Sequence, residues 1–222
     1  MILDGKVAIV GGNGFVGSNF SEIYKSNDFL IDNLFLKNDQ VKENIIKLDI
    51  NNAGNDEWND LFDKNNIEIV VNLAAIHSIP YCNKNPEQAI YTNTYGNSKL
   101  FDFCVKKKIK HYIFASTGAV YMPIDELHFE NSIQIGSDIY SYSKILSEKF
   151  LKCNALNNNI KTTVLRFFNI VGKYDFTPHL LPDLYEQFVS DKDELLVGNL
   201  STIRDYIHVE DVCELLHIVL NS

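Results

Sequence analysis

Tyr140 and Lys144 stand four residues apart in YSYSK, the spacing that puts two side chains on one face of a helix. A lysine ammonium beside a phenol favours the phenolate, so the pair is suited to acid/base work near neutral pH. The pattern Y-x-x-x-K is common and gains weight only from its surroundings. Ser116 and Thr117 follow an apolar run, YIFA at 112–115. A hydroxyl at the C-terminal end of a parallel strand faces the ligand crevice, where Thr117 could hydrogen-bond a reacting oxygen. The alternative is a hydroxyl that stabilises a turn.

A second group of residues is suited to phosphate. Val7–Val10 runs directly into Gly11-Gly12-Asn13-Gly14-Phe15-Val16-Gly17. In this spacing Gly11 permits the sharp turn out of a strand, Gly14 leaves room for a pyrophosphate, and Gly17 lets the next helix pack closely on the sheet. The N-terminus of that helix offers N–H groups and the positive end of its dipole to an anion. Asp32 follows about 20 residues beyond Gly11, at the end of the next apolar run, where a carboxylate accepts from ribose hydroxyls. It would repel a 2′-phosphate, and no arginine follows closely, so the dinucleotide expected is NAD rather than NADP. Asp49, at the end of a third run, is placed to meet an adenine edge.

These residues need a sheet to position them. Short apolar runs at Val7–Val10, Phe29–Ile31, Ile45–Ile50, Ile67–Leu73, Tyr112–Ala115 and Thr162–Phe168 read as strands buried on both faces. Helices are expected over Phe15–Lys25, Glu57–Asn65, Pro86–Lys107, from Ser137 or Asp138 to Asn157, Leu181–Ser190 and Val209–Leu220. The short polar stretch 33–44 predicts a loop or minimal helix. Alternating strand and helix predict an α/β chain, a Rossmann-type doubly wound parallel sheet with helices on both faces. Residues 1–171 form the expected NAD-binding domain and 172–222 a small, truncated C-terminal substrate lobe interleaved with the sheet.

Composition limits the partners. The 222 residues carry a net charge of −9, which disfavours nucleic acid or an anionic membrane surface. No apolar run approaches the roughly 20 residues of a membrane span, and the start reads as a strand rather than a signal peptide. Cys82, Cys104, Cys153 and Cys213 show no metal-ligand spacing and suit a reduced, cytoplasmic chain.

Taken together, the motifs resemble those of the extended short-chain dehydrogenase/reductase family, in its NAD-dependent nucleotide-sugar epimerase/dehydratase branch. The resemblance rests on GGNGFVGS, IDN at 31–33, LDI at 48–50, NLAA at 72–75, NTYG at 93–96, ASTGAVY at 115–121, YSYSK at 140–144, RFFNIVG at 166–172 and RDYIHVEDV at 204–212, in family order. It implies that Tyr140 is the acid/base, Lys144 its pKa-lowering partner and a ribose ligand, and Thr117 the hydroxyl that orients the substrate, with Ser116 beside it. It places Gly11, Asn13, Gly14, Phe15, Val16 and Gly17 at the pyrophosphate, Asp32 and Asn33 at the adenosine ribose, and Asp49 and Ile50 at the adenine. Leu73, Ala74, Ala75 and His77 match the segment passing the nicotinamide ribose, Asn93 a helix asparagine near it, and Phe168 a residue flanking the nicotinamide. Asn169 and Arg204 match positions that hold the sugar-nucleotide diphosphate; an ion pair of Arg204 with Asp205 or Glu210 is the alternative.

The family chemistry implied is oxidation of a sugar carbon to a transient keto sugar, followed in an epimerase by reduction on the other face. Dehydratases of the family carry an Asp-Glu pair after the threonine, whereas Thr117 is followed by Gly118-Ala119. The resemblance therefore favours a 4-epimerase acting on a UDP-sugar. A non-catalytic NAD-binding relative, a reductase and a dehydratase are the alternatives. Family members continue past RDYIHVEDV, so the substrate lobe is expected to be incomplete. Helices 86–107 and 138–157 are expected to pair across a two-fold axis into a homodimer.

Overall fold

The computed structural model describes residues 6–25, 29–32, 45–124, 126–177, 179–190, 194–199 and 201–222, with 30–32 and 45 described by backbone alone. The expected crossover at 33–44 and the site residue Asn33 lie outside them.

Six of the apolar runs form one parallel sheet. Its strands are β1 (Lys6–Val10), β2 (Phe29–Asp32), β3 (Ile45–Ile46), β4 (Ile67–Asn72), β5 (His111–Thr117) and β6 (Lys161–Phe167), in the order β3-β2-β1-β4-β5-β6. The order reverses at β1, between β2 and β4, and a crevice at that switch point is where open α/β sheets bind ligands.

Strand alternation divides the core. Ala8, Val10, Val70, Tyr112 and Phe114 face one side, while Val7, Ile9, Val71 and Ile113 face the other. On the first side Trp58 and Phe62 of α2 (Asp56–Asn65) pack with Phe103 and Leu100 of a later helix. Phe20 of α1 (Phe15–Ile23) and Val212, Cys213 and Leu216 of the C-terminal helix cover the second side. Each such large side chain contributes about 1.5–3 kcal/mol by leaving water.

The third run is a strand only over Ile45–Ile46. Asp49 Oδ1 accepts the Asn51 N–H at 2.9 Å and turns the chain into a 3-10 helix, Ile50–Asn52. Ser78 accepts from Tyr81 N and, with Pro80 in the first turn, starts α3 (Ile79–Lys84), a helix absent from the sequence reading. The helix expected over 86–107 is broken into α4 (Pro86–Ile90), a π-helical turn (Tyr91–Gly96) and α5 (Asn97–Lys106). Asp138 and Ser141 cap each other's backbone at the start of α6 (Ile139–Asn158).

Beyond β6 the chain forms a two-stranded sheet, β7 (Asn169–Val171) with β8 (Tyr206–His208). Between them lies α7 (Leu180–Val189), none of whose residues is buried. The last helix, α8 (Val209–Leu220), returns to the main sheet beside α1. Among the described residues no helix is long and apolar enough to cross a membrane.

Candidate active site

The glycine loop is built by contact as well as conformation. Gly11 has φ +79°, and a Cβ there would lie 2.6 Å from Ala74 N. A Cβ on Gly17 would come within 2.5 Å of Gly12 Cα. The loop therefore lies directly against the end of β4, whose continuation is held by Leu73 N–H donating to Val10 O at 2.8 Å. Gly14 donates to Gly11 O at 3.0 Å and stands as N-cap of α1. No side chain caps this helix and no acidic residue sits in its first turn. Its N-terminal N–H groups are thus presented without a competing carboxylate, the arrangement a diphosphate requires. Asn13 and Gly14 are exposed at the mouth, with Phe15 and Val16 half-buried behind them.

The adenosine side is described less fully. Asp32 ends β2, paired in register with Ile46, and its side chain lies outside the described residues. Asp49 caps the 3-10 turn as described above. Ile50 is 3% exposed and its side chain belongs to the core, which leaves its backbone as the part that can face the adenine. The apolar side chain turns inward once Asp49 bends the chain.

A buried amide network shapes the segment 73–77. Asn72 Oδ1 accepts Ala74 N at 3.1 Å, while its Nδ2 donates to Asn97 Oδ1 at 2.9 Å and Tyr112 Oη at 3.0 Å. Asn93, in the π-helical turn, accepts Ile76 N–H at 2.8 Å and donates to Ile76 O at 2.9 Å and Ser143 Oγ at 3.0 Å. Asn93 is 1% exposed and its amide is engaged by Ile76 and Ser143, so the asparagine expected near this segment holds the loop in place. Among loop residues, Leu73, Ala74 and Ala75 are half-buried, and exposed His77 meets Thr177 Oγ1 at 3.1 Å.

The three residues expected to do chemistry converge at the end of β5. The Thr117 hydroxyl lies close enough to Tyr140 to favour its ionised form, and its Oγ1 accepts Ala119 N at 3.2 Å, the turn-stabilising role considered from sequence. Lys144 is 2% exposed and donates to Ala115 O at 2.7 Å. Its Nζ lies 4.7 Å from the Phe114 ring centroid and 5.9 Å from that of Tyr140. Burial pushes the Lys144 ammonium down to about 7, opposed by the charge of Glu148. Burial pushes the Tyr140 phenol up to about 12, opposed by the nearby Thr117 hydroxyl. The lowering of Tyr140 expected from Lys144 is therefore not seen. The ammonium is turned onto a carbonyl, and desolvation outweighs it.

Ser116 departs from its expected role. It is 4% exposed, and its hydroxyl donates to buried Glu148. Successive strand residues face opposite ways, so with Thr117 directed to the crevice Ser116 points into the protein and does not hold substrate. Sequence reasoning missed Glu148 and Arg166, its ion-pair partner at 2.7 Å. The repeat Tyr140, Lys144, Glu148 on one helix face was the signal available.

Past β6, Phe168 is 41% exposed and its ring stacks with Tyr121, centroids 6.2 Å apart. Asn169 Nδ2 donates to Asp205 O at 2.8 Å, which ties it to the segment carrying Arg204. Arg204 is exposed and forms no ion pair among the described residues, against the surface-pair alternative.

A glycine loop at the switch point of a parallel sheet, with Thr, Tyr and Lys at the end of β5, defines a dinucleotide-dependent α/β protein. The profile of the NAD dependent epimerase/dehydratase family matches residues 7–222, and the chain belongs to that family. It is 33% identical to a UDP-glucose 4-epimerase of Mycoplasma genitalium, over 94% of this chain and 69% of that protein. The fold matches the UDP-N-acetylglucosamine 4-epimerase of Methanobrevibacter ruminantium, solved with UDP-N-acetylmuramic acid, with TM-score 0.85 and 25% identity over 100% of this chain and 74% of the other. It also matches the NAD complex of the Thermus thermophilus UDP-glucose 4-epimerase, with TM-score 0.79 and 23% identity over 98% and 75%. The chain thus spans about seven-tenths of the length of these relatives.

Proposed function

We propose that the chain catalyses NAD-dependent epimerisation of a nucleotide sugar, a UDP-sugar, at C4 through a transient 4-keto sugar. The observation that carries this is the gathering of Thr117 and Tyr140 at the strand end where Lys144 is anchored on Ala115 O, with Gly118 and Ala119 rather than carboxylates following Thr117. The latter disfavours dehydration, which needs a further acid and base.

The uncapped start of α1, the Gly11–Gly17 cradle, Asp32, the 73–77 segment and Lys144 fit NAD and would hold it. The chemistry supplied by bound NAD would be reversible acceptance of hydride from the sugar carbon. Thr117 orients the sugar hydroxyl, and Tyr140 Oη receives and later returns its proton. With its phenol pushed up to about 12, Tyr140 is protonated in the free protein and becomes a base only when positive charge is brought beside it. Asn169 and Arg204 lie on the paired strands and their approach, suited to the sugar-nucleotide diphosphate.

Incubation with UDP-hexoses, scored for C4 inversion at substoichiometric NAD, tests the proposal. Inversion supports it. Net consumption of NADH would identify a reductase instead. NAD binding without turnover would identify a non-catalytic relative.

A second copy of the chain is the proposed protein partner. Tyr91, Tyr95, Tyr142 and Leu146 are each about half exposed on the π-helical turn and α6. A two-fold pairing of these helices would cover them.

A further inference from the structure

Glu148 lies one helical turn beyond Lys144 on α6, and its side chain is 6% exposed. A buried carboxylate is stable only when its oxygens are satisfied and its charge is paired. Here Gln134 Nε2 donates to Oε2 at 2.6 Å, Arg166 Nε to Oε1 at 3.0 Å and Oε2 at 3.2 Å, Arg166 Nη2 to Oε2 at 2.7 Å, and Ser116 Oγ to Oε1. Arg166 Nη1 continues the chain of contacts to Tyr121 Oη and Glu130 O, each at 2.7 Å. One carboxylate therefore joins α6, the end of β5, β6 and the segment 121–134. Its attachment to β5 is at Ser116, between Ala115, which accepts the Lys144 hydrogen bond, and Thr117.

We propose that Glu148, paired with Arg166, is a positioning residue of the active site. It locks the strand end that carries Thr117 to the helix that carries Tyr140 and Lys144, and it supplies the counter-charge one turn from the Lys144 ammonium.

The charges around Lys144 support this. Tyr140 and Glu148 flank it on α6, Cys82 faces it from α3, and His77 feels its charge from the loop after β4. Arg166 stands on the far side of the Glu148 carboxylate. Of these, Glu148 is the group whose charge favours the ammonium against burial, the Cys82 thiol being raised by burial and neutral there. Arg166, Ser116 and Gln134 in turn hold the Glu148 carboxyl below the usual carboxylate range, so its charge persists through neutral pH.

The inference rests on the epimerase reading for its catalytic consequence alone. Its test is the titration of Lys144 in protein labelled with ¹³C at lysine Cε, followed by NMR, with Lys144→Met identifying the resonance by its loss. Glu148→Gln keeps the volume and an acceptor for Ser116. Glu148→Gln with Arg166→Met also removes the guanidinium that the single change would leave buried and unpaired. In either folded variant the Lys144 midpoint is expected to fall by about one pH unit or more, further in the single variant. Arg166→Lys, which keeps both charges, should hold it. A lowered melting temperature with an unmoved midpoint would reduce Glu148 to a structural brace and overturn the proposal. Where the wild type epimerises, kcat in the double variant should fall more than about tenfold with KM little changed. A wild type that turns over no sugar defeats the functional reading, and the Lys144 midpoint still decides this one.

Discussion

Asn93 and Ile76 are joined twice, the side-chain amide of one accepting the N–H of the other at 2.8 Å and donating to its carbonyl at 2.9 Å. The pairing imitates a rung of sheet between a helix and a loop. It is possible because residues 91–96 take a π-helical turn, which places Asn93 toward the loop while Ser143 of α6 receives its second N–H. Asn93→Ala would leave the half-buried N–H of Ile76 without its partner and its C=O with the weak Cys82 Sγ donor alone. The expected loss is about 2–4 kcal/mol of unfolding free energy, together with weaker NAD binding, read by urea unfolding and by calorimetry. Unaltered values for both would show that the loop does not depend on Asn93.

Much of this arrangement is legible in the sequence. Val7–Gly17 declares its strand, turn and helix because apolar periodicity and three spaced glycines leave few alternatives, and Asp138 announces the start of α6 as a cap. What stays hidden lies in tertiary packing. The match of Asn93 to a cofactor position gives no indication that its amide is consumed by a backbone. The alternation that turns Ser116 inward while Thr117 faces out follows from strand geometry once β5 is known to extend to Thr117. The apolar run alone ends at Ala115, which leaves both hydroxyls open to being read as crevice residues. Glu148 and Arg166 are far apart in sequence and meet only because β6 lies next to β5 under α6.

Tyr140→Phe removes one hydroxyl from a half-buried ring and leaves the glycine loop intact. Turnover of the proposed sugar nucleotide should fall by about 10²–10⁴-fold, the usual contribution of a positioned acid/base, with NAD affinity little changed. Coupled assay and calorimetry on the same preparations separate the two. Undiminished turnover would remove Tyr140 from the proposed reaction.

Asp32 closes β2, the strand beside β1 where the sheet order reverses, the position that reads an adenosine ribose. Asp32→Ala should weaken NAD binding and reduce discrimination against NADP, because the repulsion toward a 2′-phosphate goes with the carboxylate. Titration with both dinucleotides measures this directly. Equal affinities in variant and wild type would place the ribose elsewhere.

Leu146 is 50% exposed on α6, on the same helix as Tyr142 at 50%. If a second copy covers this face, Leu146→Asp introduces like charges next to each other across the two-fold axis, at a desolvation cost to each. The protein should shift from dimer to monomer by light scattering at matched concentration, with its melting curve lowered accordingly. A wild type that is already monomeric at high concentration would refute the pairing.

The stability of the fold should depend on pH through His111 in a window set by its burial. His111 is 4% exposed on β5, its Nε2 2.8 Å from Thr163 Oγ1 on β6. Desolvation, helped by the charge of Lys161, pushes its imidazole down to about 4 from 6.5. Between those values the unfolded chain binds a proton that the folded chain refuses, so stability rises with pH across the window and is lost as pH falls from about 6.5 to about 4. The full span corresponds to about 3 kcal/mol. The Glu148 carboxyl, held below 4.5, adds its own loss at lower pH, so the two are separable on the pH axis. His111→Gln, which can still hydrogen-bond Thr163, should flatten the slope between about pH 6.5 and about 4 in urea unfolding midpoints, with little change below about 4. An unchanged slope in the variant would mean that other groups titrate there and that burial does not hold His111 neutral.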